Sequence, residues 1–148
     1  MFSRTFNYTD YNGQPRKETW YFNLTKAEVL KMELGSWGGM STMLRRLIRE
    51  ENPEKIIEII EKMILGAVGE KSPDGRKFIK SKEIQEDFRL TPAYDELFQE
   101  LVLDPDKAIL FVKGCLPEDL AAAISENEKL EAEQNGKVVA IGGEGKTE

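Results

Sequence analysis

No histidine occurs among these 148 residues, and the single cysteine, Cys115, sits beside Leu116 in an apolar setting. A serine triad, a cysteine–histidine pair and most zinc sites need an imidazole, so those chemistries fall away together. Nothing in the sequence would activate Cys115, which reads as a small buried hydrophobe. Carboxylates are plentiful, but Glu50-Glu51, Glu86-Asp87 and Glu118-Asp119 are adjacent pairs. Neighbours on a helix diverge by about a third of a turn and do not converge on one reacting atom, so these pairs read as solvated faces. The C-terminus imitates a nucleotide site, with Lys137-Val-Val-Ala-Ile141 running into Gly-Gly-Glu-Gly-Lys-Thr147. The first glycine of a phosphate-binding loop would fall at position 140, which is alanine, and Glu148 is the last residue, so no helix N-terminus is expected to hold the phosphates. The expectation is a non-enzyme with no catalytic, cofactor-binding or metal-binding residue.

Charge narrows the partners. Twenty-seven acidic residues against 21 basic ones leave a net charge of -6, and no basic stripe interleaved with aromatics is present. Nucleic acid is therefore not an expected partner, since phosphate binding needs a basic surface. No apolar run reaches membrane-spanning length, and the opening Met-Phe-Ser-Arg-Thr-Phe-Asn-Tyr lacks the apolar core of a signal peptide. One cysteine permits no internal disulfide, which suits a reducing cytoplasm. A soluble intracellular protein is expected.

What remains is surface for other polypeptides. Phe2, Phe6 and Tyr8 alternate with Ser3, Thr5, Asn7 and Thr9, the period of a strand with one apolar face. After Asn12-Gly13, Trp20, Phe22 and Leu24 share one face, and Thr19, Tyr21 and Asn23 the other. These two runs predict a hairpin packed on a helical body, and an isolated hairpin leaves two unpaired edges for another chain. Thr25 and Glu28 form a capping box opening a helix with Val29, Leu30 and Leu34 on its apolar side. A glycine loop holding Trp37 follows, then a helix through Met40, Met43, Leu44, Leu47 and Ile48. Asn52-Pro53 starts the most hydrophobic helix, Ile56 to Ile64, apolar on two faces and stopped by Gly66 and Gly69. Ser72-Pro-Asp-Gly75 reads as a turn in a basic loop containing Lys71, Arg76, Lys77, Lys80 and Lys82. Ser81, Thr91-Pro92 and Asp104-Pro105 each start a further helix, the last stopped by Gly114.

The fold class expected is α+β: an N-terminal β-hairpin on a mainly helical bundle over residues 1–124, with an acidic, glycine-rich flexible tail over 125–148. The tail holds too little apolar area to offset the cost of ordering it. Candidate protein-interaction residues are Phe6, Tyr8, Tyr21 and Trp37, aromatics of the kind enriched at the centres of interfaces. Self-association through the hairpin edge, giving a homo-oligomer, is a further expectation.

The blocks Tyr8-Thr-Asp-Tyr-Asn-Gly13, Trp20-Tyr-Phe-Asn-Leu-Thr-Lys-Ala-Glu28, Gly69-Glu-Lys-Ser-Pro-Asp-Gly-Arg-Lys-Phe-Ile-Lys-Ser81 and Thr91-Pro-Ala-Tyr-Asp-Glu-Leu-Phe98 fall in that order. With them, residues 2 to about 120 resemble the tail assembly chaperones of long-tailed phages and prophages of Gram-positive bacteria. The resemblance implies a non-enzymatic role in viral morphogenesis. Such a chaperone binds the tape measure protein in the host cytoplasm, keeps it soluble, helps recruit tail tube protein and is absent from the mature virion. The alternative is a structural virion protein of the tail or connector that stays in the particle.

Overall fold

The chain opens with two antiparallel strands, β1 (Phe2–Thr9) and β2 (Pro15–Phe22), paired over their whole length from Phe2↔Phe22 to Thr9↔Pro15. A computed structural model describes residues 1–34 and 53–122. Residues 1–117 form one compact unit, and residues 118–148 a second, of which 118–122 are described and helical. The Met40–Ile48 helix, the Asn52 cap, Trp37 and the 125–148 tail lie outside the described residues.

Asp10 builds the hairpin turn more than the Asn12-Gly13 pair does. Its Oδ1 accepts from the N–H of Asn12 and of Gln14, both at 2.9 Å, and its Oδ2 accepts from Arg16 Nε at 2.8 Å. Gly13 alone in this loop has a positive φ, 80°, where a side chain would be strained. The Arg16 guanidinium, then the Gln14 N–H, hold the Asp10 carboxyl below its ordinary range.

The sheet is larger than the hairpin. Helix α1 (Lys26–Leu34) opens on the expected capping box: Glu28 N–H donates to Thr25 Oγ1 at 3.1 Å, and Thr25 N–H to Glu28 Oε1 at 3.0 Å. Helix α2 (Pro53–Ala67) ends between Gly66 and Gly69, as read, but runs directly into β3 (Val68–Lys71). β4 (Phe78–Ile79) returns after the Ser72–Lys77 turn, and the four-stranded order is β1-β2-β3-β4. The presumed basic loop is thus partly sheet. Then come α3 (Lys82–Arg89), α4 (Pro92–Leu103) and α5 (Pro105–Cys115).

Three long-range donors hold the α2–β3 junction against the sheet. The last carbonyls of a helix lack intrahelical partners. Here Leu65 O accepts from Gln85 Nε2 at 2.8 Å, Gly66 O from Lys80 Nζ at 2.9 Å, and Ala67 O from the Asn23 N–H at 2.9 Å. The last of these bonds begins the β2–β3 ladder.

The helices pack on one sheet face, and the core between them is aromatic. Phe6, Trp20, Phe22, Phe88 and Phe111 are buried, with Leu24, Met63, Ile64, Leu97 and Val112 around them. Ser3, Thr5, Asn7, Thr9, Lys17 and Thr19 face away and are exposed, as their alternation predicts. On α2 the buried stripe is Ile59, Ile60, Met63, Ile64 and Ala67, while Ile57 is 39% exposed; one face is packed, not two. On α1 Val29 is buried but Leu30 is exposed. Ser81 caps α3 by accepting from Ile84 N–H at 3.1 Å, and Asp104 caps α5. The Thr91 hydroxyl instead donates back to Phe88 O at 2.8 Å, closing α3 rather than capping α4. Gly114 lies inside α5, where a Cβ would stand 3.0 Å from Phe2 Cδ2, so it admits the strand instead of ending the helix.

Cys115 is fully buried, and burial pushes its thiol up to about 12. Native protein at pH 8 should react with a thiol reagent roughly a thousandfold more slowly than denatured protein, as a colorimetric thiol assay would show.

Candidate protein-binding surface

The four candidate residues do not make one patch. Phe6 is 1% exposed, its ring 6.0 Å from that of Phe88, so it anchors the ribbon to α3 and is no contact residue. It sits at an inward position of β1, and inward aromatics on a half-buried sheet go to the core first. Tyr8, also inward, is half-buried near the turn, and its hydroxyl donates to the Glu18 carboxylate. Burial, then that hydrogen bond, push Tyr8 up to about 12. Tyr21 lies on the opposite, outward face, with Lys71 Nζ 4.4 Å from its ring centre. Trp37 lies outside the described residues.

Tyr21 borders a cleft of about 660 Å³ between β2 and β3, shared with Glu18, Thr19, Trp20, Glu70, Lys71, Ser72 and Asp87. It exists because β2 and β3 pair only at Tyr21↔Gly69 and Phe22↔Val68 before diverging. A second cleft, about 760 Å³, shares Glu70 and Asp87 and adds Glu83, Glu86, Ile79 and Leu90. Both clefts carry more carboxylates than cations. The far edge of β1 has no strand partner among the described residues. Hence the hairpin keeps one edge open along β1 and part of the other along β2.

The basic residues are largely engaged within the fold. Lys80 Nζ binds Glu28 Oε2 at 2.6 Å as well as Gly66 O, and Arg76 pairs with Asp74 at 3.7 Å. Burial alone would raise the Glu28 carboxyl, but the Lys80 ammonium and the Thr25 bonds outweigh it and hold it below its ordinary 4.5. A carboxyl that titrates lower when folded stabilises fully above its unfolded value and loses that share as pH falls through the folded one. Lys80→Met should therefore cost about 2 kcal/mol near neutrality. Denaturant unfolding from pH 7 downward should show the gap from the parent protein narrowing once pH drops below the ordinary 4.5.

Among the described residues no group of three or more metal-ligating side chains occurs, and no helix is long and apolar enough to cross a membrane. An open sheet edge and acidic clefts beside an aromatic core suit the binding of another polypeptide. Residues 1–142 match the family model described as "Phage tail assembly chaperone", and the chain belongs to that family. No curated protein and no solved structure matches it. Its family is thus one of chaperones of phage tail assembly.

Proposed function

We propose that this chain binds the tape measure protein of a long-tailed phage or prophage with a Gram-positive host. It keeps that client soluble in the host cytoplasm, helps recruit tail tube subunits and is left out of the mature virion. Family membership over residues 1–142 carries the reading. The resemblance of the Tyr8–Gly13, Trp20–Glu28, Gly69–Ser81 and Thr91–Phe98 blocks supplies the client and the phage type. An open strand edge gives a client backbone a place to bond, and a net charge of -6 favours solubility of the complex.

Co-expression with the tape measure protein tests it. The client is expected in the soluble fraction and should co-purify with this chain. A client equally insoluble with and without this chain, and absent from the purified material, would reject the function. Mass spectrometry of purified virions checks the location: abundant copies in finished particles would instead make this a structural component. Edge-mediated self-association should appear as concentration-dependent mass in light scattering, and a monomer throughout would remove the homo-oligomer.

A further inference from the structure

The cleft between β2 and β3 has two features that converge on one kind of ligand. The first is unused backbone. Asn23 donates its N–H to Ala67 O, and the alternation of an antiparallel strand sends the backbone groups of Tyr21, Thr19 and Lys17 to that same side. Pairing with β3 stops at Tyr21, so among the described residues no strand meets the N–H and C=O of Thr19 and Lys17. Trp20, only 8% exposed, also lines the cleft, and its indole N–H, buried and without an acceptor, can report on a ligand bound beside it. The second feature is charge. Strand alternation puts Glu18 and Glu70 on the helix-facing side of the sheet, where Asp87 of α3 also lines the cleft. Neither Glu70 nor Asp87 has an ion-pair partner among the described residues. Lys71, the one basic lining residue, is drawn to the outward face by the Tyr21 ring.

We infer that this cleft takes an extended segment of the client protein as an added strand along Lys17 and Thr19. The segment carries Lys or Arg at every second position, facing Glu18, Glu70 and Asp87. The spacing follows from the two-residue period of a strand, since only alternate side chains reach the acidic side. Added-strand binding takes affinity from main-chain bonds and specificity from the alternating side chains. A second copy of this chain does not supply such a strand. Its sequence holds one pair of basic residues at that spacing, Lys80-Ser81-Lys82, and there Lys80 is bound to Glu28 and Gly66 while Ser81 caps α3.

The inference rests on the proposed chaperone function and names the kind of client segment recognised. Titration of the full-length protein with a capped Lys-Thr-Lys-Thr-Lys-Thr-Lys peptide, followed by NMR, should shift the Lys17 and Thr19 amides and the Trp20 indole N–H. A peptide of equal composition with its lysines in one block should bind about tenfold more weakly, because half of them then face away. The Glu70→Gln/Asp87→Asn double variant, at two exposed and unpaired positions, should lose about tenfold in affinity while its unfolding curve stays put. Undetectable binding at millimolar peptide, shifts confined to the far edge of β1, equal binding of the blocked peptide, or unchanged affinity in the double variant would each overturn it. Concentration-dependent shifts of Lys17 and Thr19 without peptide would give the cleft to a second copy and overturn it too. If the peptide fails while the tape measure protein still co-purifies, the cleft assignment falls and the function stands; if co-purification also fails, both fall.

Discussion

Phe88→Ala is expected to lower the unfolding free energy by about 4 kcal/mol, a large part of the 5–15 kcal/mol that holds an ordinary domain together. Phe88 is completely buried on α3, and its ring lies 4.8 Å from Trp20, 5.5 Å from Phe22, 6.0 Å from Phe6 and 5.8 Å from Tyr94. It is therefore where β1, β2, α3 and α4 meet. Truncation removes the transfer energy of a ring and leaves a cavity that four other rings cannot collapse to fill. Edge-on and tilted ring contacts add a smaller loss. Denaturant unfolding followed by circular dichroism measures the effect. Leu103→Ala, at a residue 81% exposed, serves as the control and should stay within about 0.5 kcal/mol of the parent. A loss below about 1 kcal/mol for Phe88→Ala would mean that α3 does not seal the aromatic face of the hairpin.

Gly69→Ala should have the next largest effect, about 3 kcal/mol, through the opposite fault of too much volume. A Cβ at residue 69 would stand 2.5 Å from Phe78 Cε2 and 2.7 Å from the carbonyl oxygen of Ile79. The ring could swing aside, but the oxygen is backbone of β4, so β3 and β4 must part. The damage should be local. Hydrogen exchange should speed up at Tyr21 and Glu70, whose partners are Gly69 and Ile79, while the β1–β2 ladder keeps its protection. Uniform loss of protection across all four strands would show that the sheet opens as one unit, and unchanged stability would contradict the close approach at Gly69. Binding of the alternating Lys-Thr peptide should weaken along with the local loss, since β3 forms one wall of the cleft.

Much of this fold is legible from short-range patterns. The period of two sorted the faces of β1 and β2 correctly, with Trp20 and Phe22 inward and Thr19 and Tyr21 outward. The capping box at Thr25–Glu28 and the caps at Ser81 and Asp104 form as read, because a cap involves groups two or three residues apart. What such patterns leave out lies at long range. Gly66 and Gly69 flank the end of α2 and Gly114 sits beside the end of α5, yet what each glycine meets is a neighbour distant in sequence: Lys80 at Gly66, Ile79 and Phe78 at Gly69, Phe2 at Gly114. Phe6 was a candidate contact and became core, since a strand pattern says which residues share a face but not what covers it.

Taken alone, then, the amino-acid order determined the class of protein: histidine-free and acidic, with a ribbon bearing one aromatic face and family blocks matched over most of its length. Only the tertiary structure decided that the ribbon belongs to a four-stranded sheet and that part of its second edge is closed. β3 has four residues and β4 two, too few for any periodicity to register. They are strands because α2 ends where Asn23, Lys80 and Gln85 can take its last carbonyls, and chain carried past that point lies beside β2. Pairing between residues nearly fifty positions apart is set by packing, and no local stretch of sequence records it.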